Sequence, residues 1–62
     1  MNKYLNYLVK IFDYNSGAVI YERSFDDLNN AKKYCQKYSC YVILDLFTKV
    51  GMGFNIVGYR NG

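Results

Sequence analysis

Residues 4–12 alternate between two sets, Leu5, Tyr7, Val9 and Ile11 on one side and Tyr4, Asn6, Leu8, Lys10 and Phe12 on the other. A period of two is the pattern of a strand, and the first set is wholly apolar or aromatic. The segment Asp13-Tyr14-Asn15-Ser16-Gly17 follows, where Asn and Gly tolerate the positive φ of a tight reversal, and residues 18–25 read as a second strand. Ser24, Asp26 and Asp27 then supply helix-start chemistry: Ser24 or Asp26 can cap free backbone amides, and both aspartates suit the positive end of a helix dipole. The spacing predicts a helix over residues 27–38. Leu28, Ala31, Cys35 and Tyr38 form one apolar stripe, Tyr34 flanks it, and Lys32, Lys33 and Lys37 take the other sides. A strand period returns over residues 40–49, a Val50-Gly51-Met52-Gly53 turn follows, and residues 54–60 close the chain as a fourth strand.

The pattern thus predicts a single α+β domain over residues 1–62 in ββαββ order, a β-hairpin, a helix and a β-hairpin. A four-stranded antiparallel sheet with the helix packed on one face buries these stripes. One helix covers one face only. Yet the third strand is apolar on both, with Cys40, Val42, Leu44 and Leu46 on one side and Tyr41, Ile43 and Phe47 on the other. A second apolar surface is expected, and on a soluble protein such a patch marks a partner. Tyr4, Leu8, Phe12, Tyr41, Ile43 and Phe47 are the residues expected to form it.

Composition sharpens this picture. A chain of 62 residues buries only about 60% of the surface its unfolded form exposes, so its core is marginal and a staple or a partner is expected. The two cysteines can make at most one bridge, and no basic segment followed by an apolar one opens the chain, so a reducing cytoplasmic setting is expected. No apolar run approaches the roughly 20 residues that span a bilayer, and no membrane partner is expected.

The stretch Lys33-Tyr34-Cys35-Gln36-Lys37-Tyr38-Ser39-Cys40-Tyr41 is the most suggestive chemically. A closed zinc site needs four ligands, and with two cysteines and no histidine it could close only by sharing thiolates across a dimer. The C-x4-C spacing differs from the C-x-x-C of thiol oxidoreductases, and Cys35 falls on the apolar stripe, where a free thiol packs as a small hydrophobe. A bridge between Cys35 and Cys40 would close a very short loop. No cofactor and no metal are expected.

Without histidine the commonest general base near neutral pH is missing, and Ser or Cys nucleophiles lose their usual activator. Asp26 and Asp27 are explained by the helix start and Asp13 by the turn; Glu22 and Asp45 lie on different strands. No catalytic residue is assigned, and the chain reads as a non-enzyme. Gly51-Met52-Gly53 joins two strands, whereas a phosphate cradle needs its glycines before a helix. Residues 49–56 echo the RNP1 motif of RNA-recognition domains, but Met52 replaces the stacking aromatic, Val50 intervenes, and that fold needs two helices.

The net charge of +3 is uneven: residues 1–30 hold three basic and four acidic side chains, residues 31–62 five basic and one acidic. Lys32, Lys33, Lys37, Lys49 and Arg60, beside Tyr34, Tyr38, Tyr41 and Tyr59, are therefore the alternative contacts of a small nucleic-acid binder. The sequence pI of about 8.9 stays under the value above 9 that marks dedicated nucleic-acid domains. The eight tyrosines favour a protein partner, because tyrosine offers large contact area, a polar tip and few rotatable bonds.

In size and in its richness in Asn, Lys and Tyr, the chain resembles small orphan accessory proteins of bacteriophages that infect AT-rich bacteria. The resemblance rests on composition and length and assigns no residue. It implies a protein that binds and inhibits a host enzyme or an anti-phage defence component in the host cytoplasm. The expectation is a non-enzymatic protein-interaction module, homodimeric, with a host protein as its target.

Overall fold

The computed structural model describes residues 6–62. Their order is β1 (Tyr7–Phe12), β2 (Val19–Phe25), α1 (Leu28–Cys35), β3 (Cys40–Val50) and β4 (Gly53–Asn61). The expected α+β class and ββαββ order are observed, with the strands in one open antiparallel sheet ordered β2-β1-β3-β4. The slab they form measures 38 × 26 × 16 Å. β1 and β3 are interior strands, and β2 and β4 are the edges.

The first hairpin is held by its turn chemistry. The Gly17 amide donates to the Asp13 carbonyl and the Asp13 amide to the Ala18 carbonyl, each at 2.8 Å, while Gly17 takes the positive φ of 73° that a side chain would resist. Asp13 Oδ2 accepts from the Ser16 hydroxyl at 2.8 Å and from the Ser16 amide at 3.2 Å. These bonds, the hydroxyl's foremost, hold the Asp13 carboxyl below its ordinary value. The second hairpin turns on Gly51 and Met52 between the paired residues Val50 and Gly53, with positive φ at Gly51 only. That is the glycine placement of a two-residue type II′ loop.

The helix is shorter than the periodicity predicts. Asp27, not Ser24 or Asp26, is the N-cap, its Oδ1 accepting from the Asn29 amide at 3.4 Å. At the other end the Gln36 amide donates to the Lys33 carbonyl and the Tyr38 amide to the Cys35 carbonyl, three residues back each time. The last turn tightens there, which lets Tyr38 leave the helix while its ring stays on the apolar side.

α1 packs on the face of the sheet that carries Val9, Ile11 and Ile43, and these three with Ala31 and Cys35 form the buried core. Tyr7, Phe25, Leu28, Tyr34, Tyr38, Tyr41 and Val57 surround it, half-buried. The β1–β3 register sets Val9 opposite Ile43, Ile11 opposite Tyr41 and Leu8 opposite Leu44. Directly opposed residues share a face, so Tyr41 and Ile43 point to the helix side. On β4, Gly58 faces Ile43, and a Cβ there would stand 3.1 Å from Ile43 Cδ1. The glycine leaves room for the isoleucine, and the extra residue Val57 bulges beside it and packs on the core.

This register yields a direct comparison between neighbours in sequence. Ile43→Ala, in the core at 0% exposure, should destabilise the fold by about 2–5 kcal/mol, and Leu44→Ala, half-buried on the other face, by clearly less, as read from urea midpoints at constant slope. Asp13 adds a pH-dependent test. Its carboxyl ionises more readily folded than unfolded, so its stabilisation is present above the ordinary value of 3.8 and lost as pH falls through the lower folded value. Asp13→Asn should lower Tm at neutral pH, and the difference from wild type should shrink steadily in melts taken below pH 4.

Candidate functional site

Among the described residues, no helix covers the face opposite α1. From the pairings, Leu8 and Phe12 on β1, Val42 and Leu44 on β3, Val19 on β2, and Ile56 and Tyr59 on β4 share it. Leu8, Phe12, Val42 and Leu44 are half-buried among their neighbours, whereas Ile56 and Tyr59 are 56% and 73% exposed. Between the strands lies a mostly apolar cleft of about 290 Å³, lined by Phe12, Val42, Ile56 and Tyr59 among others, and also by Asp13, Arg60 and Asn61. Lys10 and Glu22 face each other across β1 and β2 on this side at 4.0 Å, a solvent-exposed pair that contributes little stability.

The surface expected from the sequence is thus redrawn. Leu8 and Phe12 do lie on the uncovered face. Ile43 has no exposed area and Tyr41 packs against the core on the helix side, because β3 pairs with β1 in the register that turns Val42 and Leu44 outward. Phe47 is 78% exposed in an irregular stretch, residues 46–48, where β3 runs three residues without a partner on β4. Asp45 starts that stretch: its Oδ1 accepts from the Phe47 amide at 2.9 Å, which accounts for a carboxylate inside an apolar strand. Tyr4 lies outside the described residues, as does the side chain of Lys49. Val42, Leu44, Ile56 and Tyr59 were missing from the expected surface. Strand alternation separates Val42 and Leu44 from Tyr41 and Ile43, but only the long-range register says which pair faces out.

The helix side carries a different constellation. The rings of Phe25, Tyr34, Tyr38 and Tyr21 form a chain with centroids 5.4 to 6.2 Å apart, in tilted contacts. Arg23 and Lys37 each stand 5.4 Å from the Tyr34 ring centre, Arg23 also over Phe25 and Lys37 over Tyr38, and Arg60 stands 6.0 Å from Tyr41. A hydrogen bond with Tyr38, then burial, holds the Tyr34 phenol above its ordinary value. Lys32 and Lys33 are exposed on α1. Of the expected nucleic-acid contacts, Lys37 and Arg60 therefore already lie over tyrosine rings. A base needs an open ring face to stack, and these faces are occupied by the protein's own cations.

The cysteines belong to different layers. Cys35 is in the core beneath α1, whereas Cys40, also buried, lies outside that core and lines the cleft of the uncovered face. Both thiols are free, and no group of three or more His, Cys, Asp or Glu side chains able to hold a metal exists among the described residues. Burial raises the Cys35 thiol above its ordinary value, which suppresses the thiolate. Among the described residues, no helix is long and apolar enough to cross a membrane. Comparison of the chain with models of protein families, with curated proteins and with solved structures found no match in any of the three.

In a Cys40→Ala variant at pH 8, Cys35 should react with an aromatic disulfide reagent only at the rate of protein unfolding and become fast in denaturant. Rapid stoichiometric labelling of the native variant would contradict its placement in the core.

Proposed function

We propose that this protein is a non-enzymatic protein-interaction module that binds another protein on the uncovered face of its sheet. The apolar cleft between β1, β3 and β4 carries this reading. Its walls are mostly apolar or aromatic, with Asp13, Arg60 and Asn61 also lining it, and about 290 Å³ is room for an anchoring side chain of a partner. The half-buried Leu8, Phe12, Val42 and Leu44 give the patch a floor already held by the sheet, so little side-chain freedom is lost on binding. In the setting implied by its size and composition, the bound protein is a host enzyme or a defence component whose activity the module inhibits.

Binding of single-stranded nucleic acid is the second reading, favoured by Arg23, Lys37 and Arg60 gathered on the helix side. It is the weaker of the two, because Tyr34, Tyr38 and Tyr41 are half-buried and capped by those cations, which leaves Tyr59, on the other face of the sheet, as the one open ring of the four expected to stack bases.

The two readings separate in one affinity experiment on nuclease-treated host lysate. A protein retained by the wild type in moderate salt should be lost with Val42→Asp and kept with Lys33→Glu, Lys37→Glu. With the retained protein purified, Leu44→Ala should weaken Kd by about 30-fold if it is a hot-spot residue. Retention abolished by the helix variant alone, or by nuclease, with steep loss in salt, would sink the protein-binding reading.

A further inference from the structure

Both ends of the sheet are open, but β2 and β4 differ in what they offer. β2 carries Glu22 and Arg23 at its centre, and two copies meeting there about a two-fold axis would bring like charges close together. Native edge strands are blunted by such charges. On β4, by contrast, no charged side chain occurs from Gly53 to Tyr59, there is no proline, and the strand runs nine residues. Val57, the extra residue in the β3–β4 pairing, packs on the core. α1 lies over β1, β2 and β3, so β4 stands beyond the helix.

Among the described residues β2 exposes three large apolar side chains, Val19, Ile20 and Tyr21, and the β3–β4 hairpin six. Phe47, Val50, Met52, Phe54, Ile56 and Tyr59 all lie on β3, β4 or their turn, outside the helix-covered core. At the usual sizes of such side chains the three on β4 itself, Phe54, Ile56 and Tyr59, expose on the order of 300 Å², apolar area that a pairing at this edge would help to cover. An edge that is uncharged from Gly53 to Tyr59, with Arg60 only near its end, is compatible with its own copy, since an isologous contact sets the same surface against itself.

From the charge pattern and this area we infer that a second copy of the chain occupies the β4 edge, pairing β4 with β4 antiparallel and extending the two sheets into one of eight strands. Antiparallel pairing about a two-fold axis normal to the sheet keeps like faces on the same side. Both helices then lie on one side and both clefts on the other, with Ile56 and Tyr59 of each copy flanking the axis. The inference rests on the reading of the uncovered face as a binding surface and makes that surface two-fold and continuous.

Sedimentation equilibrium of the full chain from 1 μM to 1 mM should show mass rising from 7.3 kDa to twice that value. Phe54→Lys with Asn55→Lys, neither of which lines the cleft, should raise the dimer dissociation constant at least tenfold with an unchanged far-UV spectrum, while Ile20→Lys on β2 should leave it within threefold. Amide exchange of the wild type gives a readout that does not depend on variants: β4 amides should become protected as concentration rises, and β2 amides should not. A monomer throughout the range, or a dimer lost with Ile20→Lys and protected at β2, would overturn the inference. Cleft binding that stays sensitive to Val42→Asp in a monomeric protein would leave the function reading standing while the dimer falls.

Discussion

The pairing of β1 with β3, with Val9 set against Ile43, is the constraint on which the other features depend. It joins the two hairpins into one sheet and places the largest buried side chains, Ile11, Ile43 and Val9, side by side under α1. Because side chains alternate along a strand, a shift of one residue in this ladder would send Ile43 to the opposite face and bring Leu44 beneath the helix. Gly58 ties β4 into the same arrangement, since it leaves the space that Ile43 fills.

Around this small core the protein uses aromatic rings where a larger domain would use aliphatic layers. Phe25, Tyr34, Tyr38 and Tyr21 wrap the helix side, and Arg23 and Lys37 cover the Tyr34 ring from β2 and from the end of α1. Such contacts add about a kilocalorie per mole or less each at exposed sites, yet they tie the helix to the sheet where direct burial is scarce. They also occupy Tyr34, Tyr38 and Tyr41 with Lys37 and Arg60, a large part of what looked, along the sequence, like a nucleic-acid surface. The opposite face, on which the proposed function rests, holds its apolar groups on the sheet with no helix over them among the described residues.

That division accounts for the character of the two cysteines as well. Close in sequence, they are parted by the end of α1 and the start of β3, and each packs in its own layer. A run of residues dense in thiols, phenols and amines thus becomes a junction between elements. Cys40 lines the cleft, and Tyr41, next to it, packs on the core and also borders the cleft.

Element types and order were legible in the chain because they depend on near neighbours: the period-two sets of β1 and β3, the stripe through Ala31 and Cys35, and the glycines at positions 17 and 51. The lack of histidine and the paucity of carboxylates likewise restrict its chemistry at the level of composition. The expected binding surface was half legible. Leu8 and Phe12 follow from the pattern of β1, whose opposite set is the more uniformly apolar. On β3 both sets are apolar, so alternation sorts Val42 and Leu44 from Tyr41 and Ile43 without saying which pair faces the helix. Local patterning by itself thus determined the elements and the existence of a second apolar set; strand order, the outward turn of Val42 and Leu44 and the capping of the tyrosines were decided by tertiary structure, since each rests on contacts between residues distant along the chain, which no local period encodes.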